Sequence, residues 1–171
     1  MNNSPLVGIV MGSESDYEIM RKAGDMLDKF DIAYEMDVLS AHRSPKLVVK
    51  YAEEAVTKGL RVIIAGAGKA AHLAGVIAAH TTIPVVGVPI SSDELKGMDA
   101  LFSMVQMPAG IPVGTMALGS SGAKNAALFA AEIISLSDSK LFDKLLNYRN
   151  LLEEEVLAAS ERVKKASKEA K

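Results

Sequence analysis

Leu6 to Met11 is a run of strand length with no polar residue, and similar runs recur at Arg61 to Ala65, apolar after its first residue, and at Ile83 to Val88. A strand with water on one face alternates apolar and polar residues. A strand that is apolar throughout must be covered on both faces, as in a parallel sheet sandwiched between helices. The intervening segments supply the helices. After the first run, Ile19, Ala23, Met26, Leu27 and Phe30 recur at spacings of three and four. After a second strand at Tyr34 to Leu39, Pro45 suits a first helical position, with Leu47, Val48, Tyr51, Ala52, Ala55 and Val56 behind it and Gly59 as the stop. The third run leads into a glycine-rich loop at 66–71 and a small-residue helix to about Ala79. Beyond the fourth run, a helix is expected near Met98 to Gln106, a short fifth strand at Gly114 to Leu118, and a helix from about Ala123 to Ser135. Alternation of this kind predicts an α/β fold, a three-layer flavodoxin-like or Rossmann-like parallel sheet.

That reading disposes of two stretches long enough to mimic membrane spans, Ala70 to Ser92 and Ala100 to Ala123. The first contains His72, His80, Pro84 and Pro89, and the second Gln106, Pro108 and Pro112, so both are core segments interrupted by turns. The N-terminus has no basic region before its apolar run and does not read as a signal peptide, so a cytoplasmic protein is expected. Composition removes further classes. With no cysteine, thiolate metal sites, iron–sulfur clusters and cysteine nucleophiles are excluded. A formal charge of −2 leaves no basic field for nucleic acid or an anionic membrane. Three isolated histidines and no clustered carboxylates give no metal-ligand pattern, and no Gly-x-Ser-x-Gly elbow supports a serine hydrolase. Half of the chain is hydrophobic while only 5% is aromatic, and 13 glycines accompany many alanines. Such small residues allow helices, loops and ligands to approach one another closely.

In a parallel sheet, ligands bind beyond the carboxyl ends of the strands. That rule brings together the loops at 12–16, 40–45 and 66–73. Gly12-Ser-Glu-Ser-Asp16 joins a buried strand to a helix N-terminus, where backbone N–H groups and the helix dipole favour an anion. Ser13 and Ser15 add hydroxyls, and Asp16 suits a ribose hydroxyl better than a phosphate. These residues equally suit helix capping. Ser40-Ala-His42-Arg43-Ser-Pro45 places an imidazole beside a guanidinium. Arg43 can grip a phosphate through two N–H groups, and imidazole is the side chain that exchanges protons near neutral pH. Gly66-Ala-Gly68-Lys-Ala-Ala71 is a weak version of a dinucleotide fingerprint, better explained by close backbone approach to a small ligand. His72 follows it, either facing the site or serving as a structural histidine, and His80 reads as a helix cap. The methionines, Met98, Met104, Met107 and Met116 among them, read as core or interface filler.

The C-terminal segment follows another pattern. Leu141, Leu145, Tyr148, Leu152, Val156, Ala159 and Val163 form one stripe. A continuous helix over 138–168 would extend about 45 Å, against a radius of gyration of about 15 Å for a globule of this size. Residues 1–137 are therefore expected to form one α/β catalytic domain and 138–171 a helical arm packing on another subunit. The other reading is a helix that breaks, leaving a frayed tail after Glu161.

Taken in order, Gly12-Ser-Glu-Ser-Asp16, Ser40-Ala-His-Arg43, Gly66-Ala-Gly68, Ala71-His-Leu73, Val105-Gln-Met-Pro108 and Asn125-Ala-Ala-Leu128 resemble the 5-(carboxyamino)imidazole ribonucleotide mutase family of purine biosynthesis. The resemblance implies a flavodoxin-like subunit in a homo-octamer, with the C-terminal helix reaching a neighbour. It also implies an isomerase that moves a carboxylate from the exocyclic 5-amino nitrogen to ring carbon 4 without ATP, metal, biotin or other cofactor. By position, Gly12, Ser13, Ser15, Asp16, Ser40 and Arg43 would bind the ribose phosphate, and His42 would be the general acid and base. Gly68, His72 and Leu73 would line the pocket around the imidazole and the migrating carboxylate. Two positions depart from the pattern: Lys69 where the mutases carry Gly, and Ala74 where they carry Pro. The sister carboxylases, which use free CO2, have a basic residue in this loop and lack that Pro, but they also lack the His72 type and read Lys in place of Arg43. Carboxylation of aminoimidazole ribonucleotide therefore stays as an alternative, as does a nucleotide-phosphate-binding module without catalysis.

Overall fold

A computed structural model describes residues 4–169. The first strand, β1 (Val7–Met11), lies inside the sheet, and all five of its residues are buried. The other strands are β2 (Tyr34–Val38), β3 (Val62–Gly68), β4 (Val85–Ile90) and β5 (Gly114–Thr115). Their order is β2-β1-β3-β4-β5 and every pairing is parallel, which is the flavodoxin-like arrangement. The three continuous apolar runs became its interior strands. β2, which reads Tyr-Glu-Met-Asp-Val, became an edge and is only partly buried.

The helices are α1 (Tyr17–Lys29), α2 (Pro45–Glu54), α3 (Leu73–His80), α4 (Met98–Val105), α5 (Gly119–Ser135) and α6 (Ser139–Glu169). α1 covers one face of the sheet and α2 and α3 the other, because successive residues along a strand point to opposite sides. On one side Val10, Ile63, Ala65 and Val85 pack with Val48, Tyr51 and Ala52 of α2 and with Ala74 and Ile77 of α3. On the other side Met20 of α1 lies against Gly66 so closely that a Cβ there would collide with its sulfur.

Several expectations need correction. The third strand does not end at Ala65 but runs through Gly68, because Gly66, Ala67 and Gly68 pair with Val88, Pro89 and Ile90 of β4. The glycines predicted as a loop are thus the end of a strand, and the real loop is 69–72. The fourth strand starts and ends two residues later than its apolar run suggested, taking Pro89 into the ladder. The fifth is reduced to two residues, and the helix after it begins at Gly119 rather than near Ala123. α2 ends at Glu54, and Leu47 and Val56, expected on its buried face, are 57% and 59% exposed.

The chain divides into two compact units, one through Ile133 and one from Ile134. The second unit is dominated by α6, an unbroken helix of 31 residues. Asp138 caps it, its carboxylate accepting from the backbone N–H groups of Lys140 at 3.0 Å and Leu141 at 3.1 Å. No helix among the described residues is long and apolar enough to cross a membrane.

Candidate active site

The carboxyl ends of β1, β2, β3 and β4 open onto one cavity of about 470 Å³. Every position singled out in the three loops lines it: Gly12, Ser13, Ser15 and Asp16 after β1, Ser40, His42 and Arg43 after β2, and Gly68, His72 and Leu73 at the end of β3 and the start of α3. Strand order explains the convergence, since β1 is flanked by β2 and β3 and all three point the same way.

At the β1 end, Ser13 is extended and its hydroxyl accepts from the backbone N–H of Ser15 at 3.4 Å, capping the short 3-10 turn Glu14–Asp16 that precedes α1. The Ser15 hydroxyl donates to Ser13 Oγ at 2.9 Å. Capping and cavity lining therefore coexist in the same residues. Asp16 is buried, and desolvation pushes its carboxyl above the ordinary carboxylate range, opposed by the hydrogen bond from its backbone partner Ser13, by Ser15 and by Arg43. Arg43 reaches across from the β2 loop. Its Nη2 donates to the Gly12 carbonyl at 2.9 Å and its Nε to Ser40 Oγ at 3.4 Å. Two loops are thereby tied into one polar, cationic corner.

His42 and His72 come from loops thirty residues apart in sequence, yet His42 Nε2 lies 2.8 Å from His72 Nδ1. One ring donates its N–H to the other's lone pair, and the rings meet edge to face with centroids 4.9 Å apart. A proton can therefore rest on one ring while the other stabilises it. Both imidazoles are exposed in the single chain, so these loops alone do not enclose His42. Beneath them the wall is backbone and methyl groups, Ala67 and Gly68 from β3 with Ala70 beyond. At Gly68 a Cβ would stand 3.1 Å from the Ile90 carbonyl, so a side chain there would crowd β4 at this depth.

The far side of the cavity was not foreseen. Ile90 at the end of β4 and Ser91 and Ser92 after it line that side, where Lys69 of the already expected loop after β3 meets them. The signal was available, because the rule about carboxyl ends applies to β4 too. Pro89 mimics a strand break, so the apolar run to Val88 hides the two residues that carry β4 to the rim. Lys69 adopts φ +55°, a left-handed conformation uncommon outside glycine, and its Nζ lies 3.2 Å from Glu94 Oε1 in the loop after β4. Glu94's own backbone N–H, and then Lys69, hold its carboxyl below the usual range. Val105, Gln106, Pro108 and Asn125, which also carry the resemblance, lie outside this cavity on exposed surface. Among the described residues no group of three His, Asp or Glu side chains is placed to hold a metal ion.

Comparison with known proteins shows the family and the fold. A family model described as AIR carboxylase matches residues 6–155. An N5-carboxyaminoimidazole ribonucleotide mutase of Vibrio parahaemolyticus is 54% identical over 152 residues, which cover 89% of this chain and 94% of that protein. The mutase of Bacillus subtilis is 52% identical over 159 residues, or 93% of this chain and 98% of its own. Among solved structures, Treponema denticola PurE superposes with a TM-score of 0.83 at 31% identity, covering 92% of this chain and 98% of that one.

Proposed function

The chain belongs to the AIR carboxylase family, and from that membership we propose that it is an N5-carboxyaminoimidazole ribonucleotide mutase, an isomerase of purine biosynthesis. The observation that carries the chemistry is the His42–His72 pair, set between the Arg43 corner and the Gly68 floor. The reaction relocates a carboxylate within one molecule, and it needs a group that can both give and take a proton beside the base.

The ribose phosphate sits at the β1–β2 end, against the N–H groups leading into α1, the hydroxyls of Ser13, Ser15 and Ser40, and the Arg43 guanidinium. Asp16 accepts from a ribose hydroxyl. With the phosphate anchored there, the imidazole of the substrate lies beneath His42 and His72. Protonated His42 donates to the exocyclic nitrogen as the carbamate C–N bond breaks, releasing CO2 and leaving the free 5-amino group. The electron-rich ring carbon 4 then attacks CO2 to form the new C–C bond. Neutral His42 removes the proton from that carbon, restoring the aromatic ring and its own charge. Protons and electrons balance without any further reactant. His72 holds the imidazole of His42 and shares its proton.

Retention of CO2 sets the requirement for the walls. A freed CO2 held against carbon 4 reacts at an effective concentration that free solution cannot match, provided water and escape routes are excluded. Gly68, Ala67 and Ala70 supply one wall without polar groups. Because both imidazoles are exposed in one chain, the cover over them comes from a second copy in a homo-oligomer, and α6 is the arm that holds the copies together.

The test is a pair of rates: the carbamate ribonucleotide supplied in one assay, aminoimidazole ribonucleotide with low bicarbonate in the other. The expected result is turnover of the first and little of the second. Lys69 favours the opposite reading, a carboxylase using free CO2, which the reverse pattern of rates would establish. His42→Asn should still bind the ribonucleotide while losing turnover by about 10²–10⁴-fold. Retained turnover would overturn the assignment of His42.

A further inference from the structure

The cavity crosses the carboxyl ends of β2, β1, β3 and β4, three strand spacings or roughly 14 Å, and it carries a cation at each end. Arg43 stands at the β2 side and Lys69 at the β3–β4 side, with the two imidazoles between them. The two cations are held differently. Arg43 is fixed by hydrogen bonds to the Gly12 carbonyl and Ser40. Lys69 is engaged by a single carboxylate, Glu94, and both partners are more than two-thirds exposed. Lys69 lines the cavity and Glu94 does not, so Glu94 draws the ammonium toward the outside of the rim. An exposed pair of flexible side chains contributes little and is readily exchanged for a better partner. The four-carbon stem of lysine lets its ammonium swing between sites that a guanidinium fork could not serve equally. The lysine also occupies a backbone conformation that favours glycine, so the chain retains a side chain at the rim despite local strain.

We infer that Lys69 is a specificity-determining residue that exchanges its Glu94 partner for the carboxylate of the bound ribonucleotide, making the β3–β4 end of the cavity a second anion subsite. The inference rests on the proposed mutase reading. The substrate then carries two anionic groups, a phosphate at the Arg43 end and a carboxylate on or beside the ring. Lys69 discriminates the carboxylated ribonucleotide from its decarboxylated counterpart, a task that the phosphate corner cannot perform because both ligands have the same phosphate. It also holds the migrating group on the side of the ring away from Arg43. No bond forms to Lys69, which serves by charge and position. Glu94 competes with the ligand for the ammonium, setting how strongly the carboxylate is preferred.

Titration calorimetry on the full-length protein separates these roles, using 4-carboxy-5-aminoimidazole ribonucleotide and 5-aminoimidazole ribonucleotide as the two probes. Lys69→Met keeps an apolar stem of similar length without the charge. It should weaken binding of the carboxylated ribonucleotide by about tenfold, the loss expected for one charge-assisted contact, and leave the decarboxylated one within about twofold. Glu94→Gln should strengthen the carboxylated ligand and leave the other unchanged. Lys69→Gly, which also relieves the left-handed backbone, should weaken the carboxylated ligand as Lys69→Met does, showing that charge and not folding is responsible. Equal losses for both ligands, or none, would overturn the inference. Weaker binding of the carboxylated ligand by Glu94→Gln would overturn the exchange as well, since Glu94 would then be supporting Lys69. If the wild-type protein turns over the carbamate but Lys69→Met weakens both ligands equally or neither, only this inference fails. If wild type binds neither ribonucleotide, the mutase reading itself fails, and this inference with it.

Discussion

Asp16 is the one charged side chain buried among the described residues, and it lies at the cavity wall. Burial disfavours its ionised form, so the folded protein holds the Asp16 proton more tightly than the unfolded chain does. The sign follows directly. Below the ordinary aspartate value of 3.8 the group is neutral in both states and carries no penalty. As pH rises through the unfolded and then the raised folded value, the folded state loses stability, and above both the full penalty remains. Asp16→Asn should therefore raise Tm at pH 7, by a few degrees or so for a chain of this size. Thermal melts should show the gain shrinking as pH falls toward 4, while ribonucleotide binding is lost at every pH. A variant that is no more stable at pH 7 would mean that Ser13, Ser15 and Arg43 together outweigh the desolvation. Stability given up for a buried charge facing a ligand is what a binding role at this position requires.

Single elements show where sequence patterns carry structure and where pairing overrides them. The apolar runs identified β1, β3 and β4 because burial on both faces leaves no other composition for an interior parallel strand. Gly66 and Gly68 were misplaced into a loop because glycine also marks turns, and its local preference cannot tell a turn from a crowded strand. The neighbours decide: Gly66 pairs with both Met11 and Val88 and lies under Met20. Gly66→Ala should thus cost about 1–3 kcal/mol by overpacking, read as a lower urea midpoint with an unchanged slope. Pairing it with Met20→Ala should recover part of the loss. An unchanged midpoint in the single variant would show that Met20 moves aside freely. The lining of the candidate site was legible loop by loop, since Ser13, Asp16, His42, Arg43 and His72 each follow a strand. The contact between His42 and His72 was not, because it depends on β1 lying between β2 and β3, which no local pattern encodes. Lys69 stood out in sequence only as a departure; its ion pair with Glu94 depends on β3 and β4 being neighbours.

At the scale of the molecule, the stripe along α6 changes character along its length. Leu141 and Leu145 are buried and Tyr148 is half-buried, while Leu152, Val156 and Val163 are exposed. Phe142, Leu146, Leu151 and Leu157 add further apolar surface, and all seven exposed side chains lie between 42% and 69% exposed. An unbroken helix of 31 residues rises about 46 Å. A helix this long with so many exposed aliphatic and aromatic side chains is unfavourable in water, since each fully buried Leu or Val stabilises by about 1.5–3 kcal/mol relative to exposure. In the proposed homo-oligomer, covering the stripe with a second copy would remove that penalty and would also supply the enclosure that the exposed His42 and His72 need if CO2 is to be retained. Both needs are met by one assembly, so they should fail together. Truncation after Ser137 leaves every cavity residue in place. Sedimentation of the full chain should show a multi-subunit species, and the truncated chain should dissociate at micromolar concentration. Circular dichroism with a cooperative melt should show that its α/β unit remains folded. In the mutase assay the truncated chain should release CO2 from the carbamate ribonucleotide faster than it forms the carbon-carboxylated product, because the first step needs only a proton whereas the second needs confinement. A truncated chain that stays assembled, or that dissociates yet keeps full yield of the carboxylated product, would separate enclosure from the arm and show that the cavity loops hold CO2 by themselves.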